Sequence, residues 1–382
     1  MLFVTGSRAE YDILYPAIAA VAQTQGLSPA LVVTGSHLAP VHGLTVREIE
    51  ADGFPIAARI ETLLAADSPG SRVKSAAIQL SGLVDVVANR RPDYLVVVGD
   101  REEAITTAMA GSYMDVPVVH IGGGDTADDF NVDNAVRHAV TKLAHLHMAA
   151  SEGSAARILR LGEEPWRVHV VGAPGLDRLK TQPELSRAEV WKMIGCAPVD
   201  GPYVVVIQHS LLPEQAQAGA QMRATLEAVA ALGVPAFISG PNSDAGNHAI
   251  AVVIDEFARA HPHFVTYKNL PRAGFVNLLR HAGALAGNSS AGIIEAPFLK
   301  LPVVNVGSRQ IGREHGGNVQ FVDYEPAQIG AALRRALHDE IYRREVVAAA
   351  QPYGDGTAGL KIAQALAAHR DRRALLNKRT MF

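Results

Sequence analysis

Acidic residues recur in this chain directly after short runs of valine, isoleucine and leucine, a placement suited to moving protons. Asp100 follows the apolar run 94–98 in Val98-Gly99-Asp100-Arg101-Glu102-Glu103, and Asp125 follows the run 118–121 in His120-Ile121-Gly122-Gly123-Gly124-Asp125-Thr126. A carboxylate at the carboxyl end of a buried strand is partly desolvated, which fits it for acid–base work. Asp100 also fits as an N-cap for the next helix. The three glycines before Asp125 fit either a plain turn or a backbone that comes close to a ligand. Asp133, as the expected cap, opens a helical stretch 134–147 carrying Arg137, His138, Lys142, His145 and His147. His138 and His145 are spaced to share a face, but isolated helical histidines are usually packing residues, and no metal site is expected.

A second group of residues suits an anion. Thr5-Gly6-Ser7-Arg8-Ala9-Glu10-Tyr11 follows the first apolar run, and a small-residue turn feeding a helix can offer backbone N–H groups to a phosphate, with Arg8 adding charge. Gly287-Asn288-Ser289-Ser290-Ala291-Gly292-Ile293-Ile294-Glu295 has the same strand–turn–helix reading: Ser289, Ser290 and the helix N-terminus could grip a diphosphate, and Glu295, one turn in, could accept from ribose hydroxyls. A capped helix behind a serine-rich turn is the plainer alternative. His209 follows the run 203–207, and Arg309 and Arg313 sit in a glycine-rich loop after the run 303–306, where anion contact and simple solvation are both open.

The elements that must position these residues alternate along the chain. Strands are expected at 2–4, 30–33, 94–98, 118–121 and 168–171, with helices near 14–24, 73–89, 103–113 and 134–147. The rhythm restarts after Gly172-Ala173-Pro174-Gly175 with strands at 203–207, 236–239, 263–266, 284–286 and 303–306, and a last helix is expected over 360–374. This predicts an α/β protein of two Rossmann-like doubly wound domains, with a ligand at the carboxyl ends of the strands. The expected division is 1–175, carrying the acids, then 176–359, then a C-terminal helix and tail at 360–382. The 382 residues, 48% hydrophobic and 19% charged, supply two cores. A net charge of −3 speaks against a nucleic-acid partner. One cysteine, Cys196, allows no intrachain disulfide, and no apolar run reaches membrane-spanning length. A protein of the cytoplasm, with no membrane partner, is expected.

Together the motifs resemble the UDP-N-acetylglucosamine 2-epimerase family, and within it the hydrolysing branch. The resemblance rests on Thr5-Gly6-Ser7-Arg8-Ala9-Glu10-Tyr11, Gly99-Asp100-Arg101-Glu102-Glu103 and Gly287-Asn288-Ser289-Ser290-Ala291-Gly292, and on Arg137-His138-Ala139-Val140-Thr141-Lys142, Val171-Gly172-Ala173-Pro174-Gly175-Leu176-Asp177 and Arg309-Gln310-Ile311-Gly312-Arg313. It implies a glycosyltransferase-B type fold with the active-site cleft between the domains, a UDP-hexosamine substrate, no cofactor, and a homodimer or homotetramer. The implied reaction is loss of UDP from C1 with removal of the C2 proton, giving a 2-acetamidoglycal, then addition of water to release a 2-epimerised sugar that feeds sialic acid-like nonulosonic acids. It also implies Asp100, Asp125 and Asp133 as the catalytic acids. Arg8, Glu103, His209, Asn242, Ser289, Ser290, Gly292, Glu295, Arg309 and Arg313 are the implied contacts to substrate and nucleotide. Three positions depart from the family pattern: Asp125 where Glu is common, the loop 126–132, and Ser210 where Pro often follows the histidine. They point to a modified sugar, with a 2,4-diacetamido-trideoxyhexose as one candidate. A non-hydrolysing epimerase, a glycosyltransferase of the same fold and a silent nucleotide-sugar binder are the competing readings.

Overall fold

The valine-rich runs become strands buried on both faces, which is why they read as continuous apolar stretches rather than alternating ones. A computed structural model describes residues 1–64, 69–126, 132–241, 246–268 and 270–381 of the chain. It divides into two compact units, one built from the described residues up to Arg178 together with Tyr353 onward, the other from Leu179–Pro352.

In the first unit, strands β1 (Leu2–Thr5), β2 (Ala30–Thr34), β3 (Ile56–Ile60), β4 (Leu95–Val98), β5 (Val118–Ile121), β6 (Leu146–Ala149) and β7 (Val168–Val170) form one sheet in the order β3-β2-β1-β4-β5-β6-β7. Every pairing is parallel. Phe3 enters the core covered by the helices Arg8–Gln23 and Ala358–Ala368. Its neighbours Leu2 and Val4 enter the opposite core, covered by Pro69–Arg90, Glu102–Tyr113 and Val132–Leu143. This alternation follows from the two-residue period of a strand.

The second unit repeats the plan. Strands β8 (Val204–Ile207), β9 (Ala236–Ser239), β10 (Phe264–Tyr267), β11 (Ala284–Gly287), β12 (Val303–Val306) and β13 (Val319–Val322) lie in the order β10-β9-β8-β11-β12-β13, all parallel. Val204 and Val206 pack under the helices Ala218–Ala230, Asn247–Ala260 and Pro326–His338. Val205 and Ile207 face the other core, which holds Trp191 and Phe237 stacked at 4.7 Å. In each sheet the winding reverses once, between β1 and β4 and between β8 and β11. Doubly wound sheets bind ligands at such a reversal, beyond the carboxyl ends of the strands. Among the described residues no helix is long and apolar enough to cross a membrane.

Four local expectations are corrected. β3 and β13 were not expected: both are edge strands with no fully buried residue, so their apolar signal is thin. β6 lies where a helix was expected to run on to 147; the helix ends at Leu143, so His145 and His147 do not share it with His138. His147 is a buried strand residue whose Nε2 meets Glu163 Oε2 at 3.0 Å. The C-terminal helix is two, Ala358–Ala368 and Arg372–Leu376, the second capped by the Asp371 side chain.

Candidate active site

Asp100 lies in the turn after β4, next to the reversal of the first sheet. Gly99 turns the chain there with φ of 75°. Arg101, not Asp100, stands at the N-cap of the next helix, so the capping alternative does not hold. The Asp100 carboxylate instead accepts from Arg137 Nη2. Arg137 Nη1 is 3.9 Å from Asp125 Oδ2, so one guanidinium serves two carboxylates from neighbouring strands β4 and β5. All three side chains are largely withdrawn from water, at 10% exposure for Arg137, 17% for Asp100 and 18% for Asp125. Bringing two carboxylates this close is costly without an intervening cation. Asp133 is the second residue of the helix Val132–Leu143 and not its cap. It sits four residues before Arg137, hence on the same helical face. Arg137 was the residue missing from the expected site, although that spacing from Asp133 was its signal.

The triple glycine before Asp125 is used for packing. Gly124 has φ of 74°, and a Cβ there would lie 2.2 Å from Ser154 O. Its carbonyl accepts from Arg157 Nε. The loop is thus docked on the helix Glu152–Arg160, which fixes where Asp125 emerges.

The turn after β1 differs from the phosphate loop expected of it. The Gly6 and Ser7 N–H groups both donate to Glu10 Oε2, at 2.7 and 3.1 Å, in a capping box completed by Ser7 Oγ. Arg8 is half exposed and pairs with Glu48 at 3.3 Å. Glu103, expected to touch substrate, is 5% exposed and lies beneath this turn: a Cβ on Gly6 would fall 1.8 Å from Glu103 Oε1. Burial, with the neighbouring Glu103 second, raises the Glu10 carboxyl to about 8. Burial likewise raises Glu103, opposed by Arg101, whose Nε is 3.5 Å away.

In the second unit the loops after β8, β11 and β12 meet on Asn288, which is fully buried. Its Oδ1 accepts from His209 N and its Nδ2 donates to His209 O, both at 2.8 Å. Its own carbonyl accepts from Arg309 Nη1 at 3.0 Å and from Gln310 Nε2 at 2.9 Å. Gly287 permits this junction, since φ is 119° and a Cβ there would lie 2.1 Å from Ile207 O. Ser289 and Ser290 follow directly; Ser289 Oγ accepts from Ala291 N at 3.3 Å. The helix behind them, Ala291–Ile294, is a single turn, so its dipole is smaller than expected, and Glu295 closes the helix rather than lying within it. Glu295 accepts from Arg272 Nη2, and Gly292 faces inward, where a Cβ would meet Val303 at 2.9 Å. Arg313 is half-buried in the turn after Arg309. Asn242 lies outside the described residues.

Comparison with known proteins decides between the alternatives that geometry leaves. The sequence model of the UDP-N-acetylglucosamine 2-epimerase family matches residues 19–367. The chain belongs to this family. A hydrolysing UDP-N,N'-diacetylbacillosamine 2-epimerase of Legionella pneumophila is 35% identical, over 96% of this chain and 95% of that protein. A hydrolysing GDP/UDP-N,N'-diacetylbacillosamine 2-epimerase of Campylobacter jejuni is 30% identical, over 87% of this chain and 86% of that protein. The chain is therefore an enzyme on the hydrolysing side of the epimerase family. The crystal structure of the Neisseria meningitidis UDP-N-acetylglucosamine 2-epimerase, solved with UDP-N-acetylglucosamine bound, superposes with a TM-score of 0.75 at 19% identity, covering 96% of this chain and 99% of that one. That likeness establishes the fold, two doubly wound units of glycosyltransferase-B type.

Proposed function

We propose that this epimerase acts on a UDP-2,4-diacetamido-trideoxyhexose of the UDP-N,N'-diacetylbacillosamine kind, releasing UDP and the free 2-epimerised sugar. The C2–H bond breaks toward a carboxylate as the C1–O bond to UDP breaks, leaving a 2-acetamidoglycal. Water then adds its hydroxyl to C1, and a proton returns to C2 from the opposite face. Asp100 and Asp125 are the acid–base pair in this proposal, with Asp133 as the third acid. The observation that supports it is the Arg137 guanidinium shared by Asp100 and Asp125, which holds two partly desolvated carboxyls near one another. His209, Ser289, Ser290, Arg309 and Arg313 hold the diphosphate, whose departing charge needs such donors. Glu295 takes the ribose. Arg8 remains the proposed phosphate contact of the first unit, and Glu103 supports the Gly6 turn from below. The choice of a diacetamido sugar rests on the two relatives at 35% and 30% identity and on the departures at Asp125 and Ser210. A homodimer or homotetramer acting in the cytoplasm completes the proposal, and light scattering measures the assembly.

The test is turnover of UDP-N,N'-diacetylbacillosamine beside UDP-N-acetylglucosamine, with products separated by anion exchange. UDP and free sugar, formed with no acceptor present and faster from the diacetamido substrate, are expected. An intact epimerised nucleotide sugar would make the enzyme non-hydrolysing, and an acceptor requirement would make it a transferase. Asp100→Asn is expected to keep UDP affinity and to abolish turnover; unchanged turnover removes Asp100 from the chemistry.

A further inference from the structure

A closed chain of contacts starts and ends at Asp100. The Asp100 carboxylate accepts from Arg137, and the Arg137 carbonyl is 3.0 Å from Thr141 Oγ1, one helical turn on. Thr141 Oγ1 is 3.2 Å from His120 Nδ1. His120 Nε2 is 2.7 Å from the carbonyl of Gly99, the residue covalently joined to Asp100. A carbonyl only accepts, so Nε2 carries the proton and donates to Gly99. His120 is fully buried, and burial holds its imidazole far below the ordinary range, at about 3, so the ring is neutral. A neutral ring leaves a lone pair on Nδ1 that accepts from the Thr141 hydroxyl. The single Thr141 proton is thus shared between two acceptors, His120 Nδ1 and the Arg137 carbonyl. Gly123 keeps the contact open: a Cβ there would lie 2.9 Å from His120 Nδ1 and 3.0 Å from Thr141 Oγ1.

We propose that His120 is a positioning residue for the epimerase reaction, fixing the Gly99–Asp100 peptide against the helix that carries Arg137 and Asp133. It touches no reacting atom in this account. It sets the distance between a strand-end carboxylate and a helix-borne guanidinium, two groups that otherwise belong to separately packed elements. Displacement of a reacting group by about 1 Å costs on the order of 100-fold in rate. The inference rests on the reading that Asp100 carries out proton transfer.

The experiment compares kcat, KM and UDP affinity in His120→Leu, His120→Gln, Thr141→Val and Thr141→Ser. The amide nitrogen of Gln reaches the position of Nε2 and can still donate to Gly99. His120→Leu is expected to lower kcat by about 30- to 100-fold, with KM and UDP affinity changed less than about threefold and His120→Gln recovering most of the loss. Thr141→Val is expected to lower kcat by about tenfold, since it orphans Nδ1, and Thr141→Ser to restore it. Should His120→Leu fail to fold, the Thr141 pair gives the same answer. Two results overturn the inference: kcat unaffected in His120→Leu and Thr141→Val, or kcat and UDP affinity falling in parallel with no rescue by Gln or Ser. Asp100→Asn separates the two claims. If it is dead while His120→Leu is normal, only the positioning role falls; if it turns over normally, the assignment of Asp100 falls and takes the positioning role with it.

Discussion

Truncating Asn288 to alanine isolates one contact in the second unit. The substitution removes both side-chain bonds to the His209 backbone but leaves the Asn288 carbonyl, and with it the contacts from Arg309 and Gln310. Each lost bond is worth about 1 kcal/mol net, so about 2 kcal/mol is at stake. That sum divides between two readouts. The part felt by the free protein lowers the melting temperature, by about 2–4 °C per kcal/mol for a unit of this size. The part that reappears as the cost of ordering His209 on binding weakens UDP, by at most about 30-fold if it takes the full sum. Titration calorimetry with UDP on Asn288→Ala, His209→Ala and the double variant distinguishes the cases. Asn288→Ala is expected to weaken UDP by about 5- to 30-fold. Adding it to His209→Ala should weaken UDP by less than about twofold more, because residues acting through one contact are not additive. Additive losses, or a lowered melting temperature with unchanged UDP affinity, would refute the idea that Asn288 acts on the nucleotide through His209.

Arg137→Met leaves two carboxylates facing each other without their cation, which should cost about 3–5 kcal/mol of stability and abolish turnover; Arg137→Lys should recover stability more than rate, because a point charge cannot reach both acids. Thermal melts and kcat check both. Glu10 binds a proton in the folded protein up to about 8, well above an ordinary carboxyl, so stability associated with it is complete below the ordinary carboxyl range and is lost as pH rises toward 8. Glu10→Gln should flatten the melting-temperature profile between about pH 5 and 7; parallel profiles would contradict it. Lys378 Nζ donates to the Lys142 and Ala144 carbonyls and faces Glu163 Oε2, each at 2.7 Å, closing the far end of the helix that carries Asp133 and Arg137. Lys378→Met should therefore lower the melting temperature by about 4–8 °C, the equivalent of about 2 kcal/mol, as scanning calorimetry would record.

What the sequence disclosed follows how far each signal travels along the chain. β1, β4, β5 and β8 were legible because strands covered on both faces are unbroken apolar runs. β6 was not, since Leu-His-Met-Ala has no β-branched residue and its one polar residue, His147, continues the helical pattern before it. Asp100 and Asp125 stood out because each is the first acid after a buried strand. Arg137, His120 and Asn288 escaped notice as a group because their importance lies in contacts across space: His120 reaches Gly99 from 21 residues away and Asn288 reaches His209 from 79. The Gly6 turn is a different case. Ser7 and Glu10 have the three-residue spacing of a capping box, so the sequence held the sign that those N–H groups bind a side chain. The Lys378 contact, 236 residues from Lys142, has no local sign at all.

Proton NMR of the reaction run in heavy water tests the central chemistry most directly. With UDP-N,N'-diacetylbacillosamine as substrate, the account predicts free sugar released with one deuterium at C2 and inverted configuration there, alongside UDP. Released sugar that keeps its original C2 proton would show that no carboxylate exchanged it, and the assignment of Asp100 and Asp125 to proton transfer would have to be abandoned.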